Sequence, residues 1–180
     1  MRIEVKHGDV LAHSADVLIC SANPQLNLSG GVGGEILRRG GVDVQRQLHE
    51  HLREIGQRHV AQGQVVRSDP GPVSAQYILH AVAVDAFYDS SVETVSDLVR
   101  RALGHVAELN ATSVVMPALA TGYGPLTIEQ FAEAVAQAVE HPPAQIESLT
   151  IVLRREEDAR TVRDRLSTDD GGERSIRQPR

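Results

Sequence analysis

The sequence predicts an α/β domain, a three-layer α/β/α sandwich around a mixed sheet of about six strands. Three observations predict it. Short β-branched runs alternate with longer stretches whose apolar residues recur every three or four positions. The chain is 180 residues long and 41% hydrophobic, which suits one full core better than two half-sized ones. Two of the strand-to-helix connections carry glycine clusters, at the place where open α/β sheets form their ligand crevice.

In chain order, residues 2–6 and 16–20 read as the first two strands. Residues 35–39 read as a short helix opened by glycines. Residues 42–58 read as a longer helix with Val44, Leu48, Leu52 and Ile55 on one stripe. Strands at 64–67 and 77–84 follow one another without a helix between them, so the sheet should be mixed. The segment 91–109 spaces Val95, Leu98, Val99, Ala102, Leu103 and Val106 by threes and fours. A strand at 113–116 leads to a helix at 127–140, with Thr127 placed to cap it. The last pair is a strand at 148–153 and a helix at 156–166. Residues 167–180 (STDDGGERSIRQPR) are polar and aperiodic and read as a disordered tail, so the single domain should span 1–166.

Composition excludes several function classes. A formal charge of -6 argues against a domain that grips nucleic acid through a basic face. Aromatics at 3% with no Trp imply an aliphatic core and no aromatic-lined single-strand groove. Cys20 is the only cysteine, so there is no intrachain disulfide and no cysteine-based zinc site; no metal or cofactor is expected. His49 and His51, two apart on a helix, face different sides and make no metal pair. No apolar run approaches the ~18 residues of a membrane span, and the expected setting is the cytoplasm.

An anionic ligand remains open, because main-chain N–H groups hold phosphate without net positive charge. Three strand ends have the composition for it. After residue 20 the chain reads Ser21-Ala22-Asn23-Pro24, then Ser29-Gly30-Gly31-Val32-Gly33-Gly34 before a helix. A tight turn would need one or two of these glycines, and four favour close approach of a ligand. After residue 116 comes Pro117 to Leu126, with Thr121-Gly122-Tyr123-Gly124. Phosphate nest and ordinary loop are equally good readings of it. After the first strand, Asp9 in His7-Gly8-Asp9-Val10 could accept from the exocyclic amine of adenine, although Gly-Asp is also turn chemistry. Neither GxxxxGK[ST] nor GxGxxG with its acidic partner occurs, so Walker-type NTPase and Rossmann dehydrogenase readings fall away.

Taken together and in order, five segments over residues 1–155 resemble the macrodomain family of ADP-ribose-binding modules, in its stand-alone bacterial form. His7-Gly8-Asp9-Val10 is similar to its GDI-type opening. Val17-Leu18-Ile19-Cys20-Ser21-Ala22-Asn23-Pro24 is similar to its VNAAN-type strand end. Gly30-Gly31-Val32-Gly33-Gly34-Glu35-Ile36 resembles the GGGVDGAI loop, and Tyr77-Ile78-Leu79-His80-Ala81-Val82 the VIHAV strand. Met116-Pro117-Ala118-Leu119-Ala120-Thr121-Gly122-Tyr123-Gly124 resembles FPALGTGVGG.

The resemblance implies that Asp9, assisted by the Val10 N–H, accepts from the adenine amine and that Asn23 bonds the distal ribose. It implies that Gly30, Gly31, Val32 and Gly34 lie along the distal ribose and diphosphate. It implies further that Thr121, Gly122, Tyr123 and Gly124 wrap the phosphates. ADP-ribose or a derivative is the implied ligand, and an ADP-ribosylated protein the implied macromolecular partner. Hydrolysis of O-acetyl-ADP-ribose or mono-ADP-ribosyl esters, with Asn23 at the catalytic position, is the alternative to simple binding. Three departures bear on it: Gly33 stands where hydrolytic members carry an aspartate, Cys20 replaces the first asparagine of VNAAN, and Ser29 replaces a glycine. A glycine has no side chain to deprotonate water. Glu35 is the nearest carboxylate in sequence, and its first-turn position suits the helix dipole better than catalysis. Cys20 and His80 read as core residues, the latter bonded to backbone.

Overall fold

The computed structural model describes residues 1–168 of the chain; of the expected tail, 169–180 lie outside the described residues. Six strands form one sheet: β1 (Arg2–His7), β2 (Val17–Ala22), β3 (Val65–Ser68), β4 (Tyr77–Val82), β5 (Ser113–Met116) and β6 (Ser148–Leu153). Their spatial order is β1-β6-β5-β2-β4-β3. All neighbours run parallel except β3, which pairs antiparallel with β4 at the edge, so the sheet is mixed. Five carboxyl ends therefore open on one rim of the sheet.

Alternation along the strands divides the core in two. From β2, Val17 and Ile19 face one layer while Leu18 and Cys20 face the other; from β4, Leu79 and Ala81 oppose Ile78 and Val82. The first layer is closed by α3 (Val92–Glu108), α4 (Ile128–Ala138) and α5 (Glu156–Thr168), which supply Leu98, Phe131 and Val162 among others. The second is closed by α1 (Gly31–Arg38) and α2 (Val42–Glu54), through Ile36, Val44, Leu48 and Leu52. Both faces of the sheet are thus dry, which is why its strands read as near-continuous apolar runs.

Helix ends follow local chemistry. Ser91 caps α3 by accepting from the Thr94 N–H at 3.1 Å. Thr127 and Gln130 form a reciprocal capping box on α4. At the opposite rim of the sheet, the Asp16 carboxylate accepts from the N–H groups of Thr112 and Ser113, both at 2.9 Å, and from Gln76 Nε2 at 2.9 Å. It ties the starts of β2, β4 and β5 together. These bonds, led by that from Thr112, outweigh partial burial and hold the carboxyl below its usual range.

Three expectations need correction, and one element is unmarked in the sequence. α1 begins at Gly31, so three glycines lie inside the helix instead of before it. Ile55 is the C-cap of α2 and 43% exposed, off the buried stripe. β4 stops at Val82, two residues short of the expected end. A 3-10 turn at Val10–Ala12 follows β1, capped by Asp9, whose carboxylate accepts from the Leu11 N–H at 3.0 Å.

Candidate functional site

A cleft of about 940 Å³ opens at the carboxyl ends of the parallel strands. Every one of the five contributes: Gly8 and Val10 after β1, Leu153 and Arg154 at the end of β6, Ala120 to Gly124 after β5, Asn23 and Ser29 to Gly33 after β2, and Val84 with Tyr88 after β4. The central pair, β5 and β2, is where the chain's excursions diverge to opposite sides, the expected crevice position.

The loop after β2 is held from behind. The Asn23 carboxamide both donates to Asn27 O at 2.8 Å and accepts from Asn27 N at 3.1 Å, closing residues 23–27 into a turn. Leu26, at φ 55°, is buried inside it. From α2, Gln45 accepts from Leu28 N at 2.6 Å and donates to Leu26 O at 2.9 Å, and His49 Nε2 lies 3.0 Å from Asn27 Oδ1. The loop then enters α1 through Gly30 at φ 64°, with no side chain capping the helix. Unlike α4, α1 thus leaves its first N–H groups without a side-chain partner, and Gly31, Val32 and Gly33 line the cleft.

The facing loop, after β5, is compact. Ala120 is buried at φ 57°, and its carbonyl accepts from Leu126 N at 3.1 Å. A left-handed φ costs a non-glycine residue about 1–2 kcal/mol, and burial of the Ala120 methyl offsets about 0.8 kcal/mol of that. A Cβ on Gly124 would fall 2.5 Å from the Ala120 carbonyl oxygen, so the turn closes only over a glycine. Gly124→Ala should therefore force the backbone apart. Overpacking of this kind costs about 2 kcal/mol, and thermal unfolding should fall by about 4–8 °C; an unchanged midpoint would contradict the tight turn.

The two loops meet over the cleft. The Tyr123 ring lies against Gly30, where a Cβ would sit 2.7 Å from the tyrosine hydroxyl. The ring also meets Tyr88, centroids 6.4 Å apart and inclined at 59°. Thr121, Gly122, Tyr123 and Gly124 all line the cleft, as do Val10, Asn23, Gly30, Gly31 and Val32. Two expected residues do not. Gly34 turns its N–H back to Gly30 O at 2.8 Å. Asp9 stands just outside, its carboxylate shared between the Leu11 N–H and Arg39 Nη2 at 2.5 Å. Partial burial raises its pKa, but the Leu11 N–H and the Arg39 guanidinium prevail and hold it below the usual range.

Other side chains resolve as structural. Glu35 is not in the first turn as expected, since α1 starts at Gly31. It pairs with Arg38 at 2.7 Å, a bond that lowers its pKa, and lies outside the cleft lining. Cys20 is fully buried, and burial pushes its thiol up to about 12. His80 is bonded to the side chain of Ser68 at 2.9 Å, not to backbone as expected. Sequence reasoning missed Tyr88 and Arg154 as lining residues. Tyr88 follows a strand end without glycines, and Arg154 reads as part of a solvated charge run.

A family model of the macro domain matches residues 19–135. The chain belongs to the macrodomain family. An uncharacterized protein of Pyrobaculum aerophilum is 32% identical over 153 residues, 85% of this chain and 82% of that one. A variant of the Oceanobacillus iheyensis macrodomain with ADP-ribose aligns at a TM-score of 0.81 with 21% identity, covering 92% of this chain and 91% of that chain. The Trypanosoma brucei macrodomain in complex with ADP-ribose aligns at 0.77 with 18% identity, over 91% of this chain and 68% of the other. Relatives include archaeal proteins, so the match does not select a bacterial form.

Within this macrodomain the departures noted in the sequence have physical settings. Ser29 places its hydroxyl 3.5 Å from Asn23 Nδ2, beside the turn that Asn23 closes. At Gly33 a Cβ would lie 3.4 Å from Leu28 Cα, so the position is snug and faces the cleft without a functional group. Among the described residues, no helix is long and apolar enough to cross a membrane.

Proposed function

We propose that the cleft binds ADP-ribose, or an ADP-ribosyl group on a larger partner, and that binding rather than turnover is its function. The observation that carries this reading is the apposition of two main-chain cradles. The side-chain-uncapped amino end of α1 faces the residues 121–124 loop, and Tyr123 spans the gap. N–H groups at a helix start stabilise an anion through both hydrogen bonds and the helix dipole. A pyrophosphate fits between two such cradles; its purine then points to Val10 and Asp9, and its distal ribose to Asn23.

The volume of about 940 Å³ suits an extended dinucleotide-sized ligand. The carboxylates that line the cleft, Glu129 on α4 and the Arg155-paired Asp158 on α5, come from other elements than the loop after β2, whose lining residues carry no ionisable side chain. With Glu35 engaged by Arg38, this favours binding over general-base hydrolysis.

Calorimetric titration tests the proposal. ADP-ribose should bind in the micromolar range, on the order of 7–9 kcal/mol, with ADP and AMP weaker. Asp9→Ala should weaken all three ligands about 10-fold, because the adenine that each carries would draw the Asp9 carboxylate, which stands just outside the lining, from Arg39 to its exocyclic amine. Unchanged affinity would remove the purine role of Asp9. Acetate release from O-acetyl-ADP-ribose that depended on Asn23 would establish the hydrolase instead.

A further inference from the structure

The chain has five aromatic residues in all, three Tyr and two Phe. Three of them are exposed at or beside the cleft: Tyr123 (75%) and Tyr88 (47%) meet in its lining, and Phe87 (90%) precedes Tyr88 in the same loop. Such economy makes their placement informative, since a core built from aliphatics left few rings to spend on solvent. Large exposed rings gathered together mark interaction sites far more often than single exposed apolar residues do.

Phe87 is not exposed through looseness of its loop. The Asp85 carboxylate accepts from Phe87 N and Asp89 N, both at 2.8 Å, and Asp85 N donates to Asp89 O at 3.0 Å. Gln62 Nε2 donates to Asp89 O at 2.8 Å, and the Ser90 hydroxyl to Ala83 O at 2.7 Å. Tyr88 takes a left-handed φ of 64°, rarely adopted by an L side chain, and in doing so turns toward the cleft and Tyr123. A fixed loop thus presents one ring to the cleft and its neighbour to solvent. Preorganisation of this kind reduces the ordering cost of a partner.

Charge indicates the partner's class. Residues 81–96 contain Asp85, Asp89 and Glu93 and no Lys or Arg, while Asp97, further along α3, is paired with Arg100. A polyanion would be repelled from this rim, whereas a cationic chain would be drawn to it.

We infer that Phe87, with Tyr88 and Tyr123, forms a docking rim for the polypeptide that carries the bound ADP-ribosyl group, specifically a segment with Lys or Arg flanking the modified residue. The inference rests on the ADP-ribose reading of the cleft. There the distal ribose lies toward Asn23, Gly30 and Tyr123, the end at which an attached polypeptide would leave.

Calorimetry on the full chain tests it, using free ADP-ribose, a ten-residue Lys-bearing peptide ADP-ribosylated at its centre, the same peptide with Glu for Lys, and an ADP-ribosylated DNA oligonucleotide. The Lys peptide should bind about 10-fold tighter than free ADP-ribose, and the advantage should shrink with added salt. Phe87→Ser should erase the advantage without changing the affinity for free ADP-ribose. Parity between peptide and free ligand, equal preference for the Glu peptide, or tighter binding of the oligonucleotide would overturn the docking rim alone. So would a wild-type dimer that Phe87→Ser converts to a monomer. Failure of free ADP-ribose to bind would overturn the cleft reading itself.

Discussion

Gly122→Glu should abolish ADP-ribose binding, lowering affinity at least 100-fold, while the protein stays folded with a thermal midpoint within about 2 °C of wild type. Gly122 lines the cleft, a Cβ added there meets nothing within 4 Å, and its φ is not in the left-handed region. The substitution is therefore sterically free, and its effect on the ligand is electrostatic. A carboxylate about 5 Å from a phosphate, at an effective dielectric near 20, is repelled by about 3 kcal/mol per unit charge. That magnitude exceeds a hundredfold in affinity. Gly122→Gln separates size from charge: it should lose far less, and Gly122→Lys should bind as well as wild type or better. Wild-type affinity in Gly122→Glu would show that the residues 121–124 loop does not hold the diphosphate. The contrast with Gly124, two residues on and closed against the Ala120 carbonyl, makes the pair diagnostic. One glycine keeps opposing charge away from the ligand, and the other leaves room for the turn.

Much of this architecture was legible in the sequence because the elements are locally consistent. Strands β5 and β6 fall where their β-branched runs place them, and α3 carries all of its expected stripe. The start of α1 was not legible. Gly33 and Gly34 each cost about 1 kcal/mol in a helix relative to Ala, and Gly31 enters it at a left-handed φ of 49°, so local propensity argues for a loop. Tertiary packing decides otherwise, through Gly33 against Leu28 and Ile36 in the second core layer. The site divides along the same line. Glycine clusters at strand ends pointed to two loops that line the cleft: the four glycines at 30–34 exceed what a turn needs, whereas Gly122 and Gly124 suit an ordinary loop equally well. The exclusion of Asp9 from the lining depends on Arg39, thirty positions away, and no local signal reports that pairing. The turn of Tyr88 into the cleft likewise depends on the Asp85 bonds within a loop whose sequence has no glycine to mark it.

The second large effect concerns acid stability and resides in β4. His80 is fully buried between β2 and β3; its Nε2 meets the Ser68 hydroxyl at 2.9 Å, and Nδ1 has no hydrogen-bond partner among the described residues. The Ser68 hydroxyl donates to Asp69 O at 3.0 Å, so it accepts from the ring, and the imidazole is neutral with an orphaned acceptor. Burial pushes its pKa down to about 3, against an ordinary value near 6.5. Between those two values the unfolded chain takes up a proton that the native chain refuses, so stability falls as pH drops through this window. The slope approaches about 1.4 kcal/mol per pH unit, and the loss reaches about 2 kcal/mol by pH 5. Asp9 and Asp16, held below the usual carboxylate range, act in a separate window, losing their contribution only as pH falls toward 4 and below. Urea unfolding at pH 7, 6 and 5 should show the wild-type decline. His80→Leu, close in volume and without the orphaned nitrogen, should hold its neutral-pH stability within about 1 kcal/mol and decline about 2 kcal/mol less by pH 5. A variant that declined in parallel with wild type would locate the acid sensitivity elsewhere. Because β4 delivers Val84 and Tyr88 to the cleft, ligand affinity in wild type should follow the same histidine only below the pH at which unfolding begins.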